Sequence, residues 1–259
     1  MPTPSPADLR AFVRRHTRLA AVPGIPGVRL HLADDVARVS RAASVELGLA
    51  DADLPYWAFA WAGGLAIARH LLDHPSEVAG RSVVDLATGS GLCAIAASRA
   101  GAASVHAFDV DPLSRAAVEV NARANGVRVG FGLRDPLGEP PPPCDVLLAG
   151  DVLYQQAMAA RILPWLQGAA ERGTRVLVGD PGRAYLPPGL APVATYRVHT
   201  SLELEDADEK ASTVFAVLPD AAGPAADADA SRTRGARARV SDGAAGVPGT
   251  RPRSRPRQR

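Results

Sequence analysis

Several residue types on which redox, metal and covalent chemistry depend are scarce in this sequence. It has two cysteines, Cys93 and Cys144, which form no Cys-x-x-Cys pair and have no histidine beside them at ligand spacing. This argues against a cysteine-based metal site, and Cys93 is expected to be a small buried hydrophobic residue. The six histidines form no ligand cluster, and neither an HExxH motif nor a phosphate-binding P-loop occurs. We expect no metal, no covalent nucleophile and no phosphoryl transfer.

Long apolar runs are absent as well. No stretch approaches the roughly 18 apolar residues that a membrane-spanning helix needs. The polar, proline-rich residues 1–6 lack the charged-then-apolar order of a secretory signal. Together with the low cysteine content, which fits a reducing compartment, this predicts a cytoplasmic protein without a membrane partner.

Lysine is nearly missing, with Lys210 as the single example, and the arginines are unevenly distributed. Residues 231–259 hold nine arginines and one aspartate, although the net charge of the whole chain is only +2. The body of the chain is therefore acidic. Residues 220–259, rich in Ala, Pro and Arg, are predicted to be a disordered basic tail. A simply solvated tail is favoured over one that binds nucleic acid.

Between residues 54 and 219, short apolar runs alternate with segments of helical character. This alternation is typical of an α/β fold, here a Rossmann-like, seven-stranded, mostly parallel sheet with helices on both faces and a final hairpin. Residues 1–53 are predicted to be a helical N-terminal extension of this α/β domain at 54–219. The predicted strands are 82–86, 105–109, 127–132, 146–149, 175–179, 193–199 and 213–218, and the principal helices are 7–20, 92–100, 112–124 and 156–171.

A glycine turn follows the first strand of that domain. The sequence reads as a buried strand that reaches Asp85, turns through Ala87, Gly89 and Gly91, and opens a helix whose free N–H groups can face a ligand. Asp109 ends the next apolar run about 20 residues later, where a Rossmann-like unit places its ribose-binding carboxylate. We infer an adenosine-containing cofactor. An acid before the turn, without the NAD spacing GxGxxG, favours a methionine-bearing cofactor over a dinucleotide.

Several motifs in order resemble one family. Residues 85–91 (DLATGSG), followed by Asp109, look like a class I, seven-strand S-adenosylmethionine-dependent methyltransferase. With 55–64 (PYWAFAWAGG), 150–154 (GDVLY) and 178–183 (VGDPGR), the sequence resembles the electron-transfer-flavoprotein β-subunit lysine methyltransferase family over most of the chain before the tail. The resemblance implies S-adenosyl-L-methionine as the cofactor.

The resemblance also implies roles for individual side chains. The carboxylate of Asp151 would hydrogen-bond and orient the target ammonium, and Tyr154 would wall the lysine channel. The alternatives are a cap on the following helix for Asp151 and ordinary packing for Tyr154. Asp109 would bind the ribose hydroxyls, and Asp135 would contact adenine or be a plain turn residue. The other predicted cofactor-binding residues are Asp85, Ala87, Gly89, Gly91, Trp57, Trp61 and Gly63, with core packing as the alternative for the two tryptophans.

Two departures from the family pattern concern the turn and the substrate. Ala87 stands where many members carry the first glycine, a small change that should be tolerated, and Gln155 stands where an acidic residue is common. We expect a protein-lysine N-methyltransferase whose partner is a protein substrate, the electron transfer flavoprotein β subunit. The alternatives are a small-molecule N-methyltransferase, a ribosomal-protein lysine methyltransferase, and an RNA methyltransferase whose tail binds phosphates.

Overall fold

The structure is a computed structural model that describes residues 3–49, 54–200 and 207–219. The predicted disordered tail at 220–259 lies outside the described residues, as does most of the acidic turn near 203–209. The described residues form one compact unit. The division of the chain at residues 53 and 219 stays a prediction.

Helices and strands alternate along the described chain. Short 3₁₀ helices at Tyr56–Ala58, Pro75–Glu77 and Pro136–Gly138 join some of them. In chain order the elements are α1 (Pro6–His16), β1 (Arg18–Ala21), β2 (Arg29–Leu32), α2 (Val36–Leu47), α3 (Ala62–Asp73), β3 (Ser82–Leu86), α4 (Leu92–Arg99), β4 (Ser104–Asp109), α5 (Pro112–Ala124), β5 (Gly130–Leu133), β6 (Val146–Gly150), α6 (Gln156–Glu171), β7 (Arg175–Asp180), β8 (Ala191–His199) and β9 (Glu209–Val217).

A seven-stranded sheet with the order β5-β4-β3-β6-β7-β9-β8 forms the centre of the molecule. Strands β3 to β7 are parallel, and β9 is antiparallel to both β7 and β8. Successive side chains of a strand point to opposite faces: Val83 packs with the helices α3 and α4, whereas Val84 packs with α6. The predicted fold class, a mostly parallel sheet of seven strands with helices on both faces, is confirmed.

The N-terminal segment differs from the predicted helical extension. The first helix ends at His16 instead of continuing to residue 20, and the chain then forms the antiparallel pair β1–β2. Tight turns around the Pro-Gly pairs at 23–24 and 26–27 reverse the chain direction. The prediction of a helix over 7–20 did not include the strand that precedes these turns. Apolar side chains of α1 and α2 pack with Trp57 and with α5 in one buried cluster.

Four glycines bring α3 onto the sheet at the carboxyl ends of β6 and β7. A Cβ atom at Gly63 would lie 2.1 Å from the carbonyl oxygen of Gly179, and one at Gly150 would lie 3.0 Å from the Cα of Gly64. A side chain at Gly63, Gly150 or Gly179 would push the helix away from the strands. The first turn of α3 is therefore held directly beside the residues that follow β6 and β7.

Candidate active site

A cavity of about 850 Å³ opens at the carboxyl ends of the parallel strands. In open α/β sheets this edge is where ligands bind. Residues after β3, β4, β6 and β7 line it, together with the segment at 54–61 and the helix α2. Of the residues predicted from the sequence, the cavity brings together Asp85, Ala87, Gly89, Asp109, Trp57, Trp61, Asp151 and Tyr154.

The turn between β3 and α4 is built from alternate residues in the left-handed region. Ala87, Gly89 and Gly91 have φ angles of 53°, 54° and 84°, and Gly91 is the N-cap residue of α4. A Cβ at Gly89 would lie 3.3 Å from the carbonyl oxygen of Tyr56, which is a tight contact. The segment that contains Tyr56 thus lies against the glycine turn.

Asp85 holds this turn from inside the protein. Its Oδ2 accepts hydrogen bonds from the hydroxyl of Thr88 and from the Ala94 N–H at 3.1 Å. Burial raises the pKa of Asp85 to about 7, and the nearby charge of Asp109 adds to the effect. Asp85 is only 1% exposed. Through its bonds to Thr88 and Ala94, its carboxyl group orders the turn and the first residues of α4.

Asp109 ends β4 beside the same turn. Its Oδ2 accepts the Gly89 N–H at 2.9 Å, and its Oδ1 accepts the Asp111 N–H at 3.0 Å. Each carboxylate oxygen has a second lone pair, so a fixed acceptor remains for two neighbouring hydroxyls. The acceptor, the glycine turn and the volume of the cavity fit the ribose and adenosine of S-adenosylmethionine.

Asp151 follows β6 and has a φ angle of 57°. Its own N–H bonds the carbonyl oxygen of Gly179 at 2.9 Å, and its Oδ2 accepts the Gly64 N–H at 2.8 Å. The residue therefore caps the N-terminus of α3, where the helix dipole favours a negative charge. The helix that follows it, α6, has Gln155 as its N-cap residue, so the alternative of a local cap is wrong.

Arg183 is a cavity residue that the sequence analysis did not single out. Its Nη2 and Nε lie 2.6 and 3.2 Å from Oδ1 of Asp151. The loop that carries it is fixed by Oδ1 of Asp180, which accepts the N–H groups of Gly182 and Arg183 at 2.7 and 2.6 Å. The only available sequence signal was the position of 178–183 after a strand at the same edge as Asp151, which does not reveal the ion pair.

Aromatic rings form one wall of the cavity. The Tyr56 ring lies 5.4 Å from that of Trp61 and 5.5 Å from that of Tyr154, between centroids. The indole Nε1 of Trp61 donates to the Tyr56 carbonyl oxygen at 3.1 Å, which fixes the loop. Trp57 also borders the cavity but is 1% exposed, and its ring packs 6.2 Å from that of Phe12 in the core.

Three predicted cofactor residues do not line the cavity. Gly63 packs against Gly179, and its neighbour Gly64 borders the cavity instead. Gly91 faces Val118 of α5. Asp135 accepts the Leu137 N–H at 2.9 Å and pairs with Arg161 at 2.5 Å, which lowers the pKa of Asp135. Its carboxylate is thus occupied at a turn, although an adenine contact stays a prediction.

Cys93 lines the cavity from α4 and is buried, as the sequence predicted. Burial is the main cause that raises the pKa of its thiol well above the usual value, and the charges of Asp85 and Asp151 contribute. Within the described ranges no cluster of three or more His, Cys, Asp or Glu side chains is arranged to hold a metal ion. No helix in that part of the chain is long and apolar enough to cross a membrane.

The fold and this site define a class I S-adenosylmethionine-dependent methyltransferase. The chain is 34% identical over 217 residues to the electron transfer flavoprotein β-subunit lysine methyltransferase of Xenopus laevis, a match that covers 81% of this chain and 87% of the relative. The chain belongs to the electron transfer flavoprotein β-subunit lysine methyltransferase family and is a methyltransferase that uses S-adenosylmethionine.

Other relatives agree over shorter stretches. The enzyme of the same name from Danio rerio is 43% identical over 132 residues, covering 50% of this chain and 51% of the relative. The human one is 35% identical over 172 residues, covering 64% and 66%. The model of the ribosomal protein L11 methyltransferase (PrmA) family matches residues 69–154. A solved L11 methylase from Lactobacillus delbrueckii subsp. bulgaricus is 22% identical, with a TM-score of 0.45 over 60% of this chain and 79% of that one.

Proposed function

We propose that this methyltransferase transfers methyl groups to a lysine side chain of the electron transfer flavoprotein β subunit. The supporting observation is the position of the Asp151 carboxylate in the cavity, at the same sheet edge as the glycine turn and Asp109. A carboxylate there can accept a hydrogen bond from an incoming ammonium. The substrate is inferred from relatives that are named electron transfer flavoprotein β-subunit lysine methyltransferases.

The two ends of the cavity have different tasks in this proposal. Asp109, which the Gly89 N–H fixes, accepts hydrogen bonds from the ribose hydroxyls, and the backbone of the glycine turn lies against the adenosine portion. Asp151, fixed by Gly64 and Arg183, orients the target nitrogen. S-adenosylmethionine, when bound, supplies a methyl group on a positively charged sulfur.

The aromatic wall of Tyr56, Trp61 and Tyr154 joins the two ends of the cavity, with Tyr56 against the glycine turn and Tyr154 on the substrate side. Ring faces attract cations, and rings also pack well against the aliphatic stem of a lysine. A channel of this kind holds the nitrogen in line with the methyl carbon, and such alignment is the main requirement of a displacement reaction.

The test is methylation of the purified flavoprotein by radiolabelled cofactor, with two variants. Asp151→Asn keeps the size of the side chain, and Asn tolerates a positive φ. We expect it to bind the cofactor normally but to label the β subunit at least about 100-fold more slowly, since the charged acceptor is lost.

Asp109→Asn should instead weaken cofactor binding about 10- to 100-fold by calorimetry, because hydrogen bonds to a charged acceptor are lost. Asp73→Asn is the matched control, as its carboxylate pairs with Arg69 at the other end of α3. Full activity of the Asp151 variant, or cofactor binding by the Asp109 variant at the level of the control, would discard the assigned role. Label that appears only in small molecules or RNA would overturn the proposed substrate.

A ribosomal protein is the second candidate substrate. It is favoured by the match of the L11 methyltransferase family to residues 69–154, which contain the glycine turn, Asp109 and Asp151. Purified L11 is therefore the second acceptor to assay, at the same concentration as the flavoprotein. A ratio of labelling rates above about tenfold in favour of one protein would decide between them.

A further inference from the structure

Arg183 has a place in the cavity that calls for a chemical explanation. Its guanidinium contacts Oδ1 of Asp151 through two nitrogens, and the side chains are 19% and 11% exposed. Among the described residues that line the cavity, it is the one arginine or lysine, and the acidic residues Asp85, Asp109 and Asp111 line the same cavity in addition to Asp151. The positive charge thus lies where a substrate cation is proposed to bind.

Both members of the ion pair are fixed independently of each other. Asp151 is held by the N–H of Gly64 and by its own N–H on Gly179. Arg183 is held by a turn in which Asp180 accepts its backbone N–H, and Gly182 supplies a φ angle of 92°. The segments after β6 and β7 therefore preorganise this contact. An ion pair between long, mobile surface side chains has no such support.

A lysine can attack a methyl carbon only as the neutral amine. Its pKa is about 10.4 in water, so at neutral pH almost all of it is ammonium. A carboxylate without a cation beside it would raise the pKa of the amine by a further 1 to 3 units, roughly, because opposite charges favour the charged form. Asp151 by itself would therefore bind the substrate well but hold it in the unreactive state.

We propose that Arg183 is the positioning residue that offsets the charge of Asp151, so that the target lysine can lose its proton inside the cavity. The pair presents an oriented acceptor without a net negative charge. The ammonium gives its proton to water, the lone pair of the nitrogen forms the new N–C bond, and the electrons of the broken C–S bond stay on sulfur. This inference rests on the proposed lysine substrate.

Other titratable groups surround the pair and act on both forms of the enzyme alike. Asp85 of β3 and Cys93 of α4 line the same cavity, Asp180 ends β7, and the phenols of Tyr56 and Tyr154 belong to the aromatic wall. The first turn of α3 contributes backbone N–H groups and no ionisable side chain. A difference between wild type and an Arg183 variant therefore isolates the guanidinium.

The experiment is the pH dependence of kcat and KM for the flavoprotein β subunit, between about pH 6 and 10, with saturating cofactor. Arg183→Gln removes the charge and keeps a side chain of similar reach. In this variant the rising part of the kcat–pH profile should move to higher pH by about one unit or more. The kcat at pH 7 should therefore fall about tenfold. At the alkaline plateau kcat should return to within about twofold of wild type, since only the proton equilibrium has changed.

Substrate binding provides a readout that needs no turnover. Calorimetric titration of the cofactor-free enzyme at pH 7 should show the β subunit bound several-fold more tightly by Arg183→Gln, because the carboxylate is left for the ammonium. Arg183→Lys keeps the charge and should resemble wild type. Arg197→Gln is the matched control, which breaks an exposed ion pair with Glu209 in the β8–β9 hairpin. If Arg183→Gln does not fold, Arg183→Ala with added guanidinium ion replaces it, and rescue of the neutral-pH rate is expected.

The outcomes separate the two proposals. A kcat lowered equally at every pH, or weaker binding of the β subunit, would show that Arg183 only supports the structure, and the inference would be wrong. An unshifted profile with normal labelling of the flavoprotein would overturn the inference and leave the proposed function intact. If wild-type enzyme fails to label the flavoprotein at any pH, the proposed function is wrong and the inference falls with it.

Discussion

Two residues of the cavity, Ala87 and Asp151, adopt left-handed backbone conformations although neither is glycine, with φ angles of 53° and 57°. This region costs an ordinary L residue about 1–2 kcal/mol, and aspartate tolerates it better than alanine. At Asp151 the conformation directs the N–H to Gly179 while the carboxylate lies between α3 and Arg183. Backbone strain of this kind collects at functional sites.

The alanine at position 87 gives a direct test of that cost. Ala87→Gly should raise the free energy of unfolding by up to about 1 kcal/mol, because relief of the left-handed strain exceeds the entropy lost by glycine. Ala96→Gly, inside α4, should lower it by about 1 kcal/mol. Urea unfolding of both variants measures the two values. A loss of stability at position 87 would mean that the methyl group makes contacts worth more than the strain.

Asp85 predicts a dependence of stability on pH. Its folded-state pKa of about 7 lies above the ordinary value of 3.8, so between these values the native state binds more protons than the unfolded state. The contribution of Asp85 to the free energy of unfolding then falls as pH rises through this window, by up to about 4 kcal/mol, and levels off above pH 7.

Asp85→Asn removes this ionisation while preserving an oxygen for Thr88 and Ala94. The difference in unfolding free energy between wild type and variant, measured in urea at several pH values, should grow in favour of the variant from pH 4 to pH 7. A difference that is constant over this range would contradict the assigned ionisation.

At the scale of elements, the close packing of α3 on β6 and β7 positions the site. Because Gly63 and Gly64 allow the helix to touch Gly150 and Gly179, the Gly64 N–H reaches the carboxylate of Asp151. The same first turn of α3 therefore belongs to both the packing of the sheet and the orientation of the substrate-side carboxylate.

Gly63→Ala should lower the free energy of unfolding by about 3 kcal/mol or more, since its methyl group would overlap a backbone carbonyl that cannot move aside. Gly168→Ala is the control within α6, where the new Cβ would find its nearest atom at 3.7 Å. The control should gain up to about 1 kcal/mol from the better helix propensity of alanine. Equal stabilities of the two variants, by thermal or urea unfolding, would contradict the packing argument.

At the scale of the whole molecule, the N-terminal segment belongs to the site as well as to the core. Val36, Ser40 and Ala43 of α2 line the cavity, and α1 and α2 share an apolar cluster with Trp57 and α5. The segment that the sequence presented as an extension therefore closes one side of the binding site.

The arginine-rich tail gives the prediction that belongs to this scale. A chain that ends at Pro219 should unfold at the same temperature as the full chain and label the flavoprotein at the same rate, since the cavity is formed by residues before that point. If the tail grips phosphates, RNA binding by the full chain would fall steeply with salt and disappear on truncation. Loss of flavoprotein labelling in the short chain would show that the tail recruits the substrate.

The sequence by itself determined the order of elements from α3 onward and the chemistry of the cofactor end. Apolar runs that stop at Asp85 and Asp109, separated by a glycine turn, are local patterns, and parallel strands bring their carboxyl ends to one edge. The fold class followed from these runs. The turn from α1 into the β1–β2 pair was missed because pairing between short strands depends on contacts that helical periodicity does not encode.

Only the tertiary structure decided what surrounds Asp151. Its partners Gly64 and Arg183 lie 87 and 32 positions away in the chain, and no local pattern states which helix approaches a given strand end. For the same reason Gly63 proved to face Gly179, and Asp135 to pair with Arg161. Sequence spacing shows which side chains stand at the ends of strands. The partners that orient these side chains and offset their charge are brought by packing between elements that are distant in the chain.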